Sequence, residues 1–296
     1  MLASPSTRSS RTRVLDDGEG KGAARPPGAV VPRLLRRAFY GRFTGNAWRA
    51  SWSDLDRELN LWRKHAWTAR FWWRDDDATA DTPALQRLLG LRDQLDLPLA
   101  LAVVPASLDA SLVAALSRQS AVAVLQHGWT HTNHAGGHRY KSEFPVERRD
   151  DEVARELRAG RDNLCTAFGL SAMPVLVPPF NHLAPRWVPY VSQCGLRYVS
   201  IDQDFTGLAV DTRNVHVDVI DWQKNTARDL NAILGRTVLA LRLRRWGLVP
   251  LDTPIGIMTH HLDHDEAVWA VTHRLLSHLS GHPAVRFPPL DEIFAP

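Results

Sequence analysis

An α/β fold of parallel strands closed, or nearly closed, into a (β/α) barrel is predicted by three features of the 296-residue sequence. Seven short apolar runs recur between residues 70 and 259, amphipathic stretches separate them, and the most unusual polar residues fall just after the runs. Short apolar strands alternating with helices mark a parallel sheet covered on both faces. Seven such units suit a barrel better than a two-sided open sheet, although a doubly wound sheet is the alternative for the same pattern.

The elements follow in order. Residues 1–31, rich in Ser, Arg, Gly and Pro and without periodicity, are expected to be a disordered basic tail. Residues 32–68 turn aromatic (Phe39, Tyr40, Phe43, Trp48, Trp52, Trp62, Trp67) and read as a cover packed on the main domain, 69–296. Within the cover, Ser53 followed by Asp56 predicts a helix start, a variant capping box, with the helix running to Lys64. Strands are expected at 70–74, 99–104, 121–126, 173–177, 197–201, 215–219 and 255–259. Helices are expected near 83–95, 108–118, 147–168, 185–194, 226–245 and 264–280.

Composition excludes several functions. The formal net charge is +4, but residues 1–37 carry +5, which leaves −1 on residues 38–296. The basic balance therefore belongs to the tail, and no nucleic-acid motif accompanies it. The four arginines within Arg236–Trp246 read as the solvated outer face of a barrel helix. Cys165 and Cys194 are too few for a disulfide framework or a multi-cysteine zinc site. No apolar run reaches the roughly 18 residues of a membrane span. The N-terminus lacks the apolar stretch of a secretory signal, so a cytoplasmic location is expected.

Four strands deliver acids, imidazoles or amides at their C-terminal ends: Asp75-Asp76-Asp77, then His127 to His134, then Pro178 to His182, then His260 to Asp265. In a parallel barrel those ends share one face, where active sites are built. His127 and His131, four apart, have a spacing suited to a divalent ion, and a carboxylate from a neighbouring strand end would complete an Asp-His-His set with positions open for water and substrate. A metal so held lowers the pKa of bound water and polarises a carbonyl oxygen. A second carboxylate beside the first can take the water's proton, and a histidine from a distant strand can protonate the leaving group. The pattern suggests hydrolysis of an amide or ester. His134 and His138 extend the spacing but read as loop residues.

The order of these motifs over residues 69–265 resembles the polysaccharide deacetylase family, the NodB-homology group of carbohydrate esterases. The resemblance implies a distorted (β/α) barrel and removal of N- or O-acetyl groups from a saccharide with a divalent metal, often zinc. Asp76 would then be the base and Asp77, His127 and His131 the metal ligands, with Asp75 and Asp76 as the alternative register for the acid pair. The Pro-aromatic turn matches Pro179-Phe180, so that Phe180 and Asn181 would hold the substrate and its oxyanion through backbone N–H groups. His260 matches the acid, with His261 as its close competitor.

The sequence also departs from the family. The arginine that supplies a positive charge beside the catalytic Asp is Val177 here, so another cation has to serve, with Arg74 and Arg186 as candidates. The first motif reads Arg-Asp-Asp-Asp-Ala rather than Thr-Phe-Asp-Asp-Gly, and Phe180 replaces a tyrosine. Two other readings stay open: a saccharide-binding barrel that has lost turnover, and a metal-dependent amidase acting on a non-sugar C–N bond. Trp72, Trp73, Trp129, Trp187 and Trp222 could stack on sugar rings, although tryptophans in such numbers more often build core or cover.

Overall fold

A computed structural model of the chain describes residues 48–137, 140–202 and 208–294. The expected tail and residues 32–47 of the cover lie outside the described residues, as does His138.

Strand β1 (Ala69–Ala78) sits at the centre of the sheet and pairs in parallel with β2 (Leu99–Val103) on one side and β10 (Ile255–Thr259) on the other. From β2 the ladder continues through β3 (Val122–His127), β4 (Ala172–Val177), β5 (Tyr198–Val199) and β6 (Asp211–Thr212). From β10 it continues to β7 (Val215–Asp218). The outermost strands, β6 and β7, are two residues apart in sequence, and Val215 N–H donates to the Ile201 carbonyl at 2.9 Å. One run of chain therefore pairs with β5 at its start and with β10 at its end, and the sheet curls into a distorted barrel. Strands follow one another round it in chain order, without the reversal that defines a doubly wound sheet. A strand β11 (Val285–Arg286) adds to the start of β1, and β8 (Ile220–Asp221) and β9 (Thr226–Ala227) form a small hairpin after β7.

Strand alternation sorts the side chains. Phe71, Trp73, Leu99, Leu101, Val103, Ile255 and Ile257 face outward into one large core. That core is closed by helices α2 (Pro83–Leu95), α6 (Leu230–Arg245) and α7 (Glu266–Ser280). Trp72, Ala100, Ala102, Ala123, Leu125, Val175, Val177 and Met258 face the interior, which is narrow enough to need alanines wherever Trp72 intrudes. Helix α8 (Leu290–Ile293) plugs one end, with Phe294 packed edge-on against Trp72 at 5.4 Å. The remaining helices, α3 (Ala110–Leu116), α4 (Asp150–Phe168) and α5 (Val188–Gln193), lie on the connections between strands.

Several boundaries differ from expectation. The acidic triplet lies inside β1 rather than beyond it. The helix expected from 226 starts at Leu230, because Thr226 and Ala227 pair in the hairpin and Asp229 caps the helix. In the first helix, α1 (Trp52–Lys64), the capping box uses Ser51 and Asp54, two residues earlier than Ser53 and Asp56. Asp56 instead meets His278 at 2.7 Å.

Helix α6 is buried on nearly every side, which fits a helix covered from both directions. Its inner side packs on the barrel and its outer side is crossed by residues 48–64, so its arginines are not a solvated face. Arg245 and Arg242 pair with the buried Glu58 of α1 at 2.6 and 3.3 Å, and Arg244 is itself buried on the carbonyls of Ala240, Thr253 and Pro254. The crossing depends on Gly235, where a Cβ would stand 2.1 Å from the Trp48 carbonyl oxygen. Alanine in a helix interior normally stabilises relative to glycine by up to about 1 kcal/mol. Here Gly235→Ala is expected to destabilise by about 1–3 kcal/mol, the cost of overpacking against backbone, read as a lower urea midpoint at unchanged slope.

Candidate metal centre and active site

The site grows from the alternation of β1. Arg74 and Asp76 share the interior face with Trp72, and Asp75 shares the outer face with Trp73. A register shift between Asp75 and Ala78, with Asp77 at φ 72°, breaks the alternation and lifts Asp77 to the rim of the barrel. There its Oδ1 lies 2.9 Å from His127 Nε2 and 3.1 Å from His131 Nε2. Ligand atoms of Asp77, His127 and His131 all lie within 4.8 Å of one another. Asp77, not Asp76 as in the alternative register, is thus the acid that meets the two imidazoles.

The donors are oriented from behind. His127 ends β3, and its Nδ1–H donates to the Val177 carbonyl at 3.0 Å, which turns the Nε2 lone pair toward Asp77. His131 lies in an irregular loop at φ 60°, not on a helix. That loop is held by Glu143, a fully buried carboxylate that accepts from Trp129 N–H at 3.1 Å and from Thr130 N–H at 2.7 Å. Gly128 lets the chain pass at φ +56°, where a Cβ would collide with Glu143 and with the Pro179 ring. Glu143 carried no signal in the sequence, since it lies 12 residues beyond the histidine whose loop it holds.

A divalent ion fits this donor set. Asp77 Oδ1 is buried without a hydrogen-bond donor other than the two imidazoles, and His127, with its proton committed to Val177, can meet a carboxylate only as a cation or through a shared metal. Burial works to raise the Asp77 carboxyl, but the bonds from His127 and His131 and the charges of His127 and His260 outweigh it and hold the group well below the usual carboxylate range. Burial likewise opposes a proton on His127. The Asp77 bond and the charges of Asp76 and Asp77 outweigh it, so that His127 titrates above its ordinary value.

Beside the triad, Asp76 is buried and paired with Arg74 at 2.8 Å, itself fully buried. Arg74 also donates to Ser200 O at 3.0 Å, Ser200 Oγ at 2.7 Å and Asn181 Oδ1 at 3.1 Å. The cation beside Asp76 is therefore Arg74. Arg186 is half-exposed and bound to Asp150 and the Val146 carbonyl. Across the site His260 Nε2 stands 3.8 Å from Asp76 Oδ2. His261 turns away from the site, burying its ring against Asp75.

The turn after β4 places Phe180 on the His131 ring at 4.8 Å, with Phe180 at φ 61° and Asn181 at φ 52°. Asn181 N–H donates to the Pro178 carbonyl, and its side chain serves Arg74. His182 bonds Ser142 Oγ and does not join the cluster. His134 is exposed, Asp265 caps α7, and His264 is buried on Trp269, where desolvation pushes its pKa down to about 4.

Of the five tryptophans, Trp72, Trp73 and Trp187 are core, and Trp129 is half-buried. Trp222 is 46% exposed and sets its ring edge-on to His260 at 4.6 Å, held by a bond from its Nε1 to Asp218 Oδ2 at 2.8 Å. Asp218, which ends β7, was not singled out from sequence, although it lies within the strand expected at 215–219.

No protein-family model matches the chain, and no curated protein does. Solved structures do. A protein from Mycobacterium smegmatis assigned as a polysaccharide deacetylase superposes with a TM-score of 0.57 at 14% identity, over 83% of this chain and 92% of that one. A family 4 carbohydrate esterase from Streptomyces lividans, solved with acetate, superposes with a TM-score of 0.50 at 17% identity, over 74% of this chain and 91% of that one. The chain carries the fold of the polysaccharide deacetylases and family 4 carbohydrate esterases, in a widely diverged sequence.

Proposed function

We propose that the protein is a metal-dependent hydrolase that removes an acetyl group from a saccharide. The observation that carries the reading is the meeting of Asp77, His127 and His131 at a barrel rim, with Asp76 and His260 facing one another beside them. The fold shared with deacetylases supports it. A donor set of two imidazole nitrogens and one carboxylate oxygen suits zinc.

The bound ion would polarise the acetyl carbonyl and acidify a water. Asp76 is placed to take a proton from the attacking water, and Arg74 holds the Asp76 carboxylate in place. His260 gives a proton to the departing amine nitrogen or alkoxide oxygen. In the turn after β4, Pro178 and Pro179 have no N–H and Asn181 and His182 donate theirs to the Pro178 and Pro179 carbonyls, which leaves the Phe180 N–H as the turn's donor for the oxyanion. Trp222, exposed beside His260, offers the face on which a sugar ring would rest. A binding barrel without turnover drew its motive from the missing arginine, and the Arg74–Asp76 pair removes that motive.

The purified protein is expected to bind one divalent ion per chain and to release acetate from acetylated saccharides. Asp77→Ala and His131→Ala should each abolish both; retention of the metal by either variant rules out the site. Arg74→Met leaves Asp76 buried and unpaired and should cost about 3–5 kcal/mol in denaturant unfolding, whereas Arg186→Met should stay within about 0.5 kcal/mol.

Metal binding needs His127 neutral at Nε2, and its raised pKa means protons compete from above the ordinary histidine value of 6.5 downward. Affinity should therefore fall on acidification, approaching about tenfold per pH unit once the pH is below that raised value. Zinc titration calorimetry at pH 8 and pH 6, in buffers of different ionisation enthalpy, measures both the fall and the proton released.

A further inference from the structure

Asp75 has no part in the reaction proposed above, yet it is the most heavily bonded acid of the triplet. It is fully buried on the outer face of β1. Its Oδ2 accepts from Thr259 Oγ1 at 2.6 Å and from the His261 backbone N–H at 3.1 Å, and its Oδ1 meets His261 Nδ1 at 2.5 Å. Thr259 Oγ1 in turn accepts from Trp73 Nε1 at 2.9 Å. One carboxylate thus binds the residue before His260 and the residue after it.

His260 has little else to set its position. Its Nδ1 is buried with no hydrogen-bond partner, and its Nε2 is 3.8 Å from Asp76, beyond a hydrogen bond. It stands at the point where β10 ends, at φ −140° and ψ 89°, one residue past the last β1 pairing of Asp75 with Thr259. The pairing of β1 with β10 stops one residue earlier. The His260 carbonyl accepts from Asp263 N–H at 2.9 Å, Asp75 holds the residues on either side, and Trp222 sets its ring edge-on to the imidazole.

We propose that Asp75 is a positioning residue for His260, a clamp that holds the backbone on both sides of the proton donor and so aims its ring at Asp76 and the leaving group. The inference rests on His260 being the acid of the proposed reaction. The clamp acts through hydrogen-bond acceptance, so an amide in the same place can replace it and a methyl group cannot.

The test is a cycle of variants on the metal-loaded protein, assayed by acetate release. Asp75→Ala should lower kcat by about 10-fold or more, up to the loss seen for His260→Ala, which for a general acid is about 10²–10⁴. KM and metal content should stay within about twofold. Asp75→Asn, which still accepts from Thr259 and the His261 N–H, should restore most of kcat. In a His260→Ala background neither change should lower kcat further, because the clamp has nothing left to aim.

Thr259→Val removes one arm of the clamp without removing the carboxylate and serves if Asp75→Ala does not fold; it should follow the same pattern at smaller size. Independent multiplication of the Asp75 and His260 losses, or failure of Asp75→Asn to recover, overturns the clamp while leaving the deacetylase reading intact. Full activity in His260→Ala, with loss in Asp77→Ala, removes the acid assignment and the clamp together. Apart from activity, a crystal structure of Asp75→Ala or Thr259→Val with the His260 ring unmoved beside Asp76 also overturns it.

Discussion

Charge taken out of water has to be paired, and this constraint organises the whole mouth of the barrel. Strand β1 carries Arg74, Asp75, Asp76 and Asp77 into the centre of a covered sheet. An isolated ion there costs several kcal/mol after relaxation. Each of the four has a different solution. Arg74 and Asp76, two apart and so on one face, neutralise each other inside the barrel. Asp75, on the opposite face, meets His261 and the end of β10. Asp77, turned out by the bulge, meets two imidazoles and is the acid suited to share a metal with them. The ends of β3 and β10 and the residues just after them supply partners for two of these charges: His127 and His131 for Asp77, Thr259 and His261 for Asp75.

The same constraint explains what could be read from sequence. The seven strands were legible because short apolar runs are the only way to build a sheet buried on both faces, and the helix at 83–95 was legible to the residue. Asp77, His127 and His131 were legible because imidazoles and acids after apolar runs have few other reasons to gather. The barrel's closure through residues 211–218 was not, since β6 has only two residues and no hydrophobic pattern. Nor was the choice between Arg74 and Arg186, which turns on a period-2 count along β1 that becomes decisive only once the strand is known to continue through the triplet. Ser53 and Asp56 failed as a cap because Ser51 and Asp54 offer the same chemistry two residues earlier, and tertiary contact with His278 claims Asp56.

Backbone strain concentrates where the chemistry is proposed. Among the described residues, eight other than glycine have positive φ, and four of them are Asp77, His131, Phe180 and Asn181. Such conformations cost on the order of 1 kcal/mol or more each and persist only where surrounding bonds over-determine them. Those bonds are present: Glu143 holds the loop that bears His131, and Arg74 holds Asn181. The rim is stiff because its supports are buried polar groups with nowhere else to bond. Trp222, pinned by Asp218 yet open to solvent beside His260, is the exception.

The two differences from the deacetylase motifs that the sequence resembles, the Arg-Asp-Asp-Asp-Ala run and Val177 in place of an arginine, are linked in the structure. With Val177 in the arginine's place, that strand position is apolar and packs in the barrel interior, while its carbonyl oxygen still accepts from His127. The positive charge arrives instead from Arg74, two residues before Asp76, a position that β-strand alternation places on the same face. An arginine on the same strand as Asp76 is held by the ladder's register, whereas one on a neighbouring strand depends on how the two strands sit. Asp75, between Arg74 and Asp76 in sequence, points to the outer face, where Thr259 and His261 at the end of β10 answer its charge. The Arg-Asp-Asp-Asp run thus draws its cation from within β1 and ties that strand to the one bearing His260, so the adjustment needs β1 and its immediate partner alone.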